Sequence, residues 1–180
     1  MEQIQRDYTE KIRSERGIIE KIMNYIPGYR GYKEKELRRD SDRMVRMDIV
    51  NRLKQAKTML RREFANPSLI EKLQTDDTFR LETLTSRLDR VTQRIDRAVA
   101  GYSGRLASIK VKEDKLDMVI QHDLDLIEKA DTIKNEVEKT LTLAVGSAEW
   151  NTAMDAIIAN VEGLDTLVDE RSYILRGLEE

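Results

Sequence analysis

In Leu81-Glu82-Thr83-Leu84-Thr85-Ser86-Arg87-Leu88-Asp89-Arg90-Val91-Thr92-Gln93-Arg94-Ile95-Asp96-Arg97-Ala98-Val99-Ala100-Gly101-Tyr102, apolar or aromatic residues stand at 81, 84, 88, 91, 95, 98 and 102. Spacings of 3 and 4 in strict alternation put all seven on one stripe of an α-helix, and three successive heptads of this kind make a coiled-coil-like seam. The other face is polar. Such a helix is stable only when its stripe is covered by a neighbour.

The same period extends outward in both directions. Ile4, Tyr8, Ile12, Glu15, Ile19, Ile22 and Ile26 form a first stripe that ends at Pro27, because the residue before a proline is pushed out of the helical region. Ile26 to Gly31 is then a connection. A second helix is expected from about 32 to 65, with Val45, Ile49, Leu53, Ala56, Leu60 and Phe64 inward. Asn66-Pro67 reads as an N-cap followed by proline at the first helical position, with a possible break near Thr75-Asp76-Asp77.

Beyond the glycines of Gly101-Tyr102-Ser103-Gly104 and an irregular stretch from about Arg105 to Val111, residues 112–145 carry Leu116, Ile120, Ile127, Ala130, Val137, Leu141 and Ala144. Asp123 and Lys134 fall where two more stripe residues belong. Gly146-Ser147 supplies a C-cap and an N-cap, and a last helix over 148–178 carries Met154, Ile157, Val161, Leu164, Val168, Leu175 and Leu178. The expected fold is all-α, a single domain over 1–180. It is an elongated antiparallel bundle of four to five long helices with coiled-coil-like packing, about 50 Å long.

Composition agrees with that fold and excludes much chemistry. Charged residues make up 37% of the 180-residue chain and hydrophobic ones 39%, with two prolines, the balance of long helices rather than sheets. Cysteine is absent, which removes disulfides, thiolate metal sites and a cysteine nucleophile. His122 is the only histidine and lacks the Glu three residues before it that a helical di-metal site would want, so a solvated or bundle-edge histidine is expected. Neither Gly-x-Ser-x-Gly nor a phosphate-cradling glycine motif occurs. The carboxylate pairs Asp76-Asp77 and Asp123 with Asp125 are expected in charged surface or at helix starts, where the dipole favours them. No enzyme and no cofactor is expected. The first residues contain no apolar leader region and no span of 18 apolar residues occurs, so a cytoplasmic location is expected.

Charge is segregated along the chain. Residues 1–66 hold 17 Lys and Arg against 11 Asp and Glu, a net of +6, whereas residues 106–180 hold 8 against 17, a net of −9. A near-neutral total therefore hides a basic beginning and an acidic end, which calls for an anionic partner or for the chain's own other half. The densest basic portion interleaves aromatics, and Tyr29, Arg30, Tyr32, Lys33, Arg38, Arg39, Arg43 and Arg46 are the candidate polyanion-binding residues. Arg39, Arg43 and Arg46 are expected on one helical face. Against this stand the acid-before-base pairs Asp42 with Arg46 and Asp48 with Arg52, which would spend part of that charge within the helix.

At Ile26-Pro27-Gly28-Tyr29-Arg30-Gly31-Tyr32-Lys33-Glu34-Lys35-Glu36-Leu37-Arg38-Arg39-Asp40, and again at Gly101-Tyr102-Ser103-Gly104 with Val111-Lys112, the chain resembles a group of uncharacterised prokaryotic helical proteins. The resemblance implies a prokaryotic cytoplasmic protein and brings no chemistry with it. The functional expectation is a non-enzymatic helical interaction or scaffold module that associates with itself as a homo-oligomer or with a protein partner. Nucleic-acid or other polyanion binding through the basic N-terminal region is the alternative, and peripheral binding to an anionic membrane is the second.

Overall fold

The computed structural model describes residues 14, 16–31, 38–98 and 113–176. Helix α1 covers 16–25, α2 Arg38–Glu63, α3 Pro67–Ile70, α4 Thr75–Arg97, α5 Glu113–Thr140 and α6 Ala148–Arg176. No strand occurs among the described residues, and the all-α expectation holds. At 1.5 Å per residue, the 26 residues of α2 and the 29 of α6 are about 39 and 43 Å long.

Local chemistry sets the helix ends. Asn66 is the N-cap of α3, its side chain accepting from the Ser68 amide at 3.1 Å, and Pro67 occupies the first turn. The break foreseen near Thr75 is real, and α4 starts there. The Gln74 amide donates to Asp77 Oδ2 at 3.1 Å, and Asp77 is buried at this start. Ser147 caps α6, its hydroxyl accepting from the Trp150 amide at 3.1 Å. Helix α5 ends at Thr140 rather than near 145. The Thr142 and Leu143 amides there bond three residues back, to Lys139 and Thr140, and the tightened turn leads to Gly146 at φ +78°.

Helices α2, α4, α6 and α5 surround the core in that spatial order, each packed on the next. Each hairpin, α2 with α4 and α5 with α6, is antiparallel. The hairpins lie side by side so that α4 runs parallel to α6, and α2 to α5. Constant sequence offsets establish this: Arg80 pairs with Asp155, Arg87 with Glu162 and Arg90 with Asp165, always 75 residues apart. Arg52 pairs with Asp131, 79 apart. Consequently α4 and α5, consecutive among the long helices, stand on one diagonal of the bundle, and α2 and α6 on the other.

The stripes point inward over most of their described length; Ala144 is exposed beyond the end of α5, and Ile4, Tyr8, Ile12, Glu15, Tyr102, Leu178 and the side chains of Leu116 and Leu175 lie outside the described residues. Val45, Ile49, Leu53, Ala56, Leu60, Leu84, Leu88, Val91, Ile95, Met154, Ile157, Val161 and Leu164 are all buried in one cluster, with Phe64, Leu81 and Val168 half-buried against it. Each large aliphatic side chain so buried contributes about 1.5–3 kcal/mol. Trp150, fully buried, closes one end of the core edge-to-face with Phe64 at a centroid distance of 6.2 Å. Helix α1 lies over the α2/α5 side near the other end. Ile22 and Ile26 join the core, and the Tyr25 ring sits 5.3 Å beneath the Arg52 guanidinium. The chain turns back through Gly28 and Gly31, and the Gly31 carbonyl accepts from the Ser41 hydroxyl at 2.7 Å.

Candidate functional site

Two arrangements of charge distinguish this bundle from a plain apolar one, the first of them inside. Asp42 and Asp123 are fully buried, and Arg46 and Arg171 nearly so. Arg46 Nε donates to Asp42 Oδ2 at 2.9 Å, and Arg171 Nε to Asp123 Oδ1 at 2.9 Å. Arg171 Nη2 also lies 3.0 Å from Asp42 Oδ1, an ion-pair contact outside aligned hydrogen-bond geometry. Among the described residues, three helices thus meet in a network of two carboxylates and two guanidiniums. The neighbouring cavity, walled by Ile49, Ile95, Leu126 and Val168 beside the two arginines, has a volume of about 30 Å³, room for one water. Such a centre ties the register of the three helices to one another.

His122 precedes this network and is buried rather than solvated, which corrects the expectation from sequence; its Nε2 has no hydrogen-bond partner among the described residues. The reason is that α5 packs against α2 and α6 and lies beneath α1, so more than one of its stripes is covered. Asp123 is likewise interior and not surface charge, whereas Asp125 is exposed. Among the described residues no group of three or more His, Asp or Glu side chains is placed to hold a metal ion.

The second arrangement is outside. Along the α4/α6 seam, Arg80, Arg87, Arg90 and Arg94 pair with Asp155, Glu162, Asp165 and Asp169, Asp165 receiving both Arg90 and Arg94. Burial opposes the charge on Arg94, but its hydrogen bonds and charge contacts with Asp169 and Asp165 prevail and raise its pKa above the ordinary arginine value. Arg52 behaves alike: burial disfavours the cation, and Asp48 and then Asp131 outweigh it. Lys57 of α2 pairs with Asp89 of α4. The acidic end is therefore neutralised mainly by α4, from the middle of the chain, and the basic beginning reaches it through Arg52 and Asp131.

The candidate polyanion residues do not form one surface. Tyr29 is buried, 1% exposed, and offers no ring for stacking. Arg46 belongs to the interior network at 6% exposure, so the row expected from Arg39 through Arg43 to Arg46 is broken: Arg43 faces solvent and Arg46 faces the core. The i,i+4 pairing with Asp42 turns it inward. Arg30 is exposed. Tyr32, Lys33 and the side chains of Arg38 and Arg39 lie outside the described residues, as do Gly101 to Gly104 and the stretch 105–111.

The outer face of α2 is basic as a whole, beyond the residues expected from sequence. Its exposed positions between 43 and 62 are Arg43, Met47, Asn51, Lys54, Gln55, Thr58, Arg61 and Arg62, four cations and no carboxylate. None of the four forms an ion pair among the described residues. Spacings of 3 and 4 from Arg43 through Lys54 to Arg61 carried that signal. No helix among the described residues is long and apolar enough to cross a membrane. No protein-family model, curated protein or solved structure matches the chain.

Proposed function

We propose that the chain is a non-enzymatic helical interaction module whose basic α2 face meets a second copy or another protein. One observation carries the reading. The arginines of α4 are all but consumed by α6, while Arg43, Lys54, Arg61 and Arg62 have no ion-pair partner among the described residues along a face of about 28 Å. Like charges left side by side gain nothing for the fold, and a face of one sign steers and orients an oppositely charged partner.

Zero-length carboxyl-to-amine crosslinking of the full chain in its native extract tests this, with size-exclusion chromatography and light scattering run beside it at low and high salt. Adducts above the 21.0 kDa chain mass are expected for the wild type, weaker at high salt and lost in R43E/R61E/R62E. A wild type that forms no adduct and keeps the single-chain mass at every salt and concentration would remove the interaction reading.

A further inference from the structure

The groove between the parallel helices α2 and α5 is occupied over one part of its length and open over the rest. Where it is occupied, helix α1 and the connection that follows it fill it. Helix α1 places Tyr25 under Arg52, whose guanidinium also pairs with Asp131 of α5, and an added methyl on Gly31 would touch both Ile19 of α1 and Ile120 of α5. Beyond the level of Arg52, Asn51, Lys54, Gln55, Thr58 and Met59 of α2 and Lys134 of α5 line an open groove of about 470 Å³. No carboxylate is among these six residues. Lys54 and Lys134 face each other across the groove at nearly the offset of the Arg52–Asp131 pair, and neither forms an ion pair among the described residues. Met59, half-buried against the core, supplies an apolar floor between them.

We propose that this open part of the α2/α5 groove docks an acidic amphipathic helix of a partner protein, in line with α1; the proposal rests on the interaction reading above and names its site and ligand. A helix fits because the ridges of α2 and α5 already seat one in the same groove. Its acidity follows from two unpaired ammonium groups with no carboxylate between them. Its apolar stripe follows from Met59. Single-stranded nucleic acid would want an aromatic platform, and no aromatic lines the groove.

The test titrates the full chain into a labelled peptide of about three heptads with Leu at a and d and Glu elsewhere, followed by fluorescence anisotropy. Controls are the same peptide with Lys in place of Glu and a duplex oligonucleotide. The Leu/Glu peptide should bind, K54E/K134E should weaken it by about tenfold or more, and K54Q/K134Q by less. The Leu/Lys peptide should prefer K54E/K134E, while R30E should stay within about twofold of wild type. Amide shifts on titration should map to 51–59 and 131–138, and circular dichroism checks that each variant remains helical.

Equal affinity of wild type and K54E/K134E would overturn the groove assignment, as would shifts confined to another face; either result leaves the interaction reading standing. Tighter binding of the duplex would put nucleic acid in place of the helix. Dissociation of a self-associated form by K54E/K134E without peptide would put a second copy there. Failure of the peptide to bind at all overturns the proposal, and the crosslinking result decides the interaction reading separately.

Discussion

Arg171, near the end of α6, reaches across the bundle diagonal to Asp42 at the start of α2, Nη2 to Oδ1 at 3.0 Å, while its Nε holds Asp123 of α5 at 2.9 Å. One side chain thus ties the diagonal pair of helices to a third through the interior. Two hairpins packed by apolar stripes alone could slide by a turn with little loss, because Leu, Ile and Val replace one another in a seam. Buried charge cannot slide, since a displaced carboxylate would lose its guanidinium in a medium that charges it heavily for the loss.

Replacing Arg171 by Met should lower stability by about 3–5 kcal/mol, because it strips a cation from two fully buried carboxylates. The double variant D123L/R171M should regain a good part of that cost, since a buried pair exchanged for apolar groups is often nearly neutral. Urea unfolding of the two variants measures it. A double variant less stable than R171M would contradict the network as described.

Gly31 has φ +72°, and a Cβ there would lie 3.2 Å from Ile19 Cδ1. Gly31→Ala should cost about 1–2 kcal/mol from the left-handed backbone, plus the adjustment of Ile19. Gly17 lies within α1 with nothing within 4 Å of an added Cβ. Its change to Ala should leave stability unchanged or raise it by up to about 1 kcal/mol. Thermal unfolding of the pair compares the two backbones directly.

Asp165 takes both Arg90 and Arg94 and is the less exposed partner in each pair. Asp165→Asn should cost about 0.5–1 kcal/mol at low salt, and the difference from wild type should shrink as salt rises. Chemical denaturation with urea at two salt concentrations provides the measurement, and a salt-independent difference would mean that packing rather than charge holds this seam.

The raised pKa of Arg52 has a definite sign. A cation whose folded pKa lies above its unfolded value contributes fully below the unfolded value and loses that contribution only as pH climbs past it. The stability difference between wild type and R52M should therefore be flat from pH 7 to 9. Urea titrations at three pH values check this, and a slope in the difference would assign the effect to another group.

Trp150 is the only tryptophan and is fully buried against Phe64. Its fluorescence should be short in wavelength and poorly quenched by iodide in the native state. Trp150→Phe should cost less than Trp150→Ala, for which about 3–5 kcal/mol is expected. Strong iodide quenching of the native protein would show that this end of the core is open.

Apolar periodicity made the long helices, their inward faces and the breaks at Pro27, Asn66 and Thr75 legible in advance, because a 3.6-residue repeat and a proline act locally. A second stripe of α5, Val119, Leu126, Ile133 and Thr140 at steps of seven, is buried and was not read out. Its exposure depends on how many neighbours α5 has, which no local rule contains. The same holds for His122. Asp123 stood at a stripe position in the sequence, and that place was the one early sign of an interior charge.

For the candidate site the balance tips the other way. Charge totals indicated a basic half and an acidic half but could not say which residues satisfy each other. Whether Arg171 meets solvent or Asp42, and whether Arg87 meets a partner or Glu162, depends on helix order and direction around the bundle. Residue order along the chain dictates that helices form and which stripe each must hide, since those energies arise within a few turns. The pairing of parallel α4 with α6, the diagonal reach of Arg171 and the unneutralised face of α2 arise only when distant segments are brought within a few ångströms, where Coulomb and desolvation energies act.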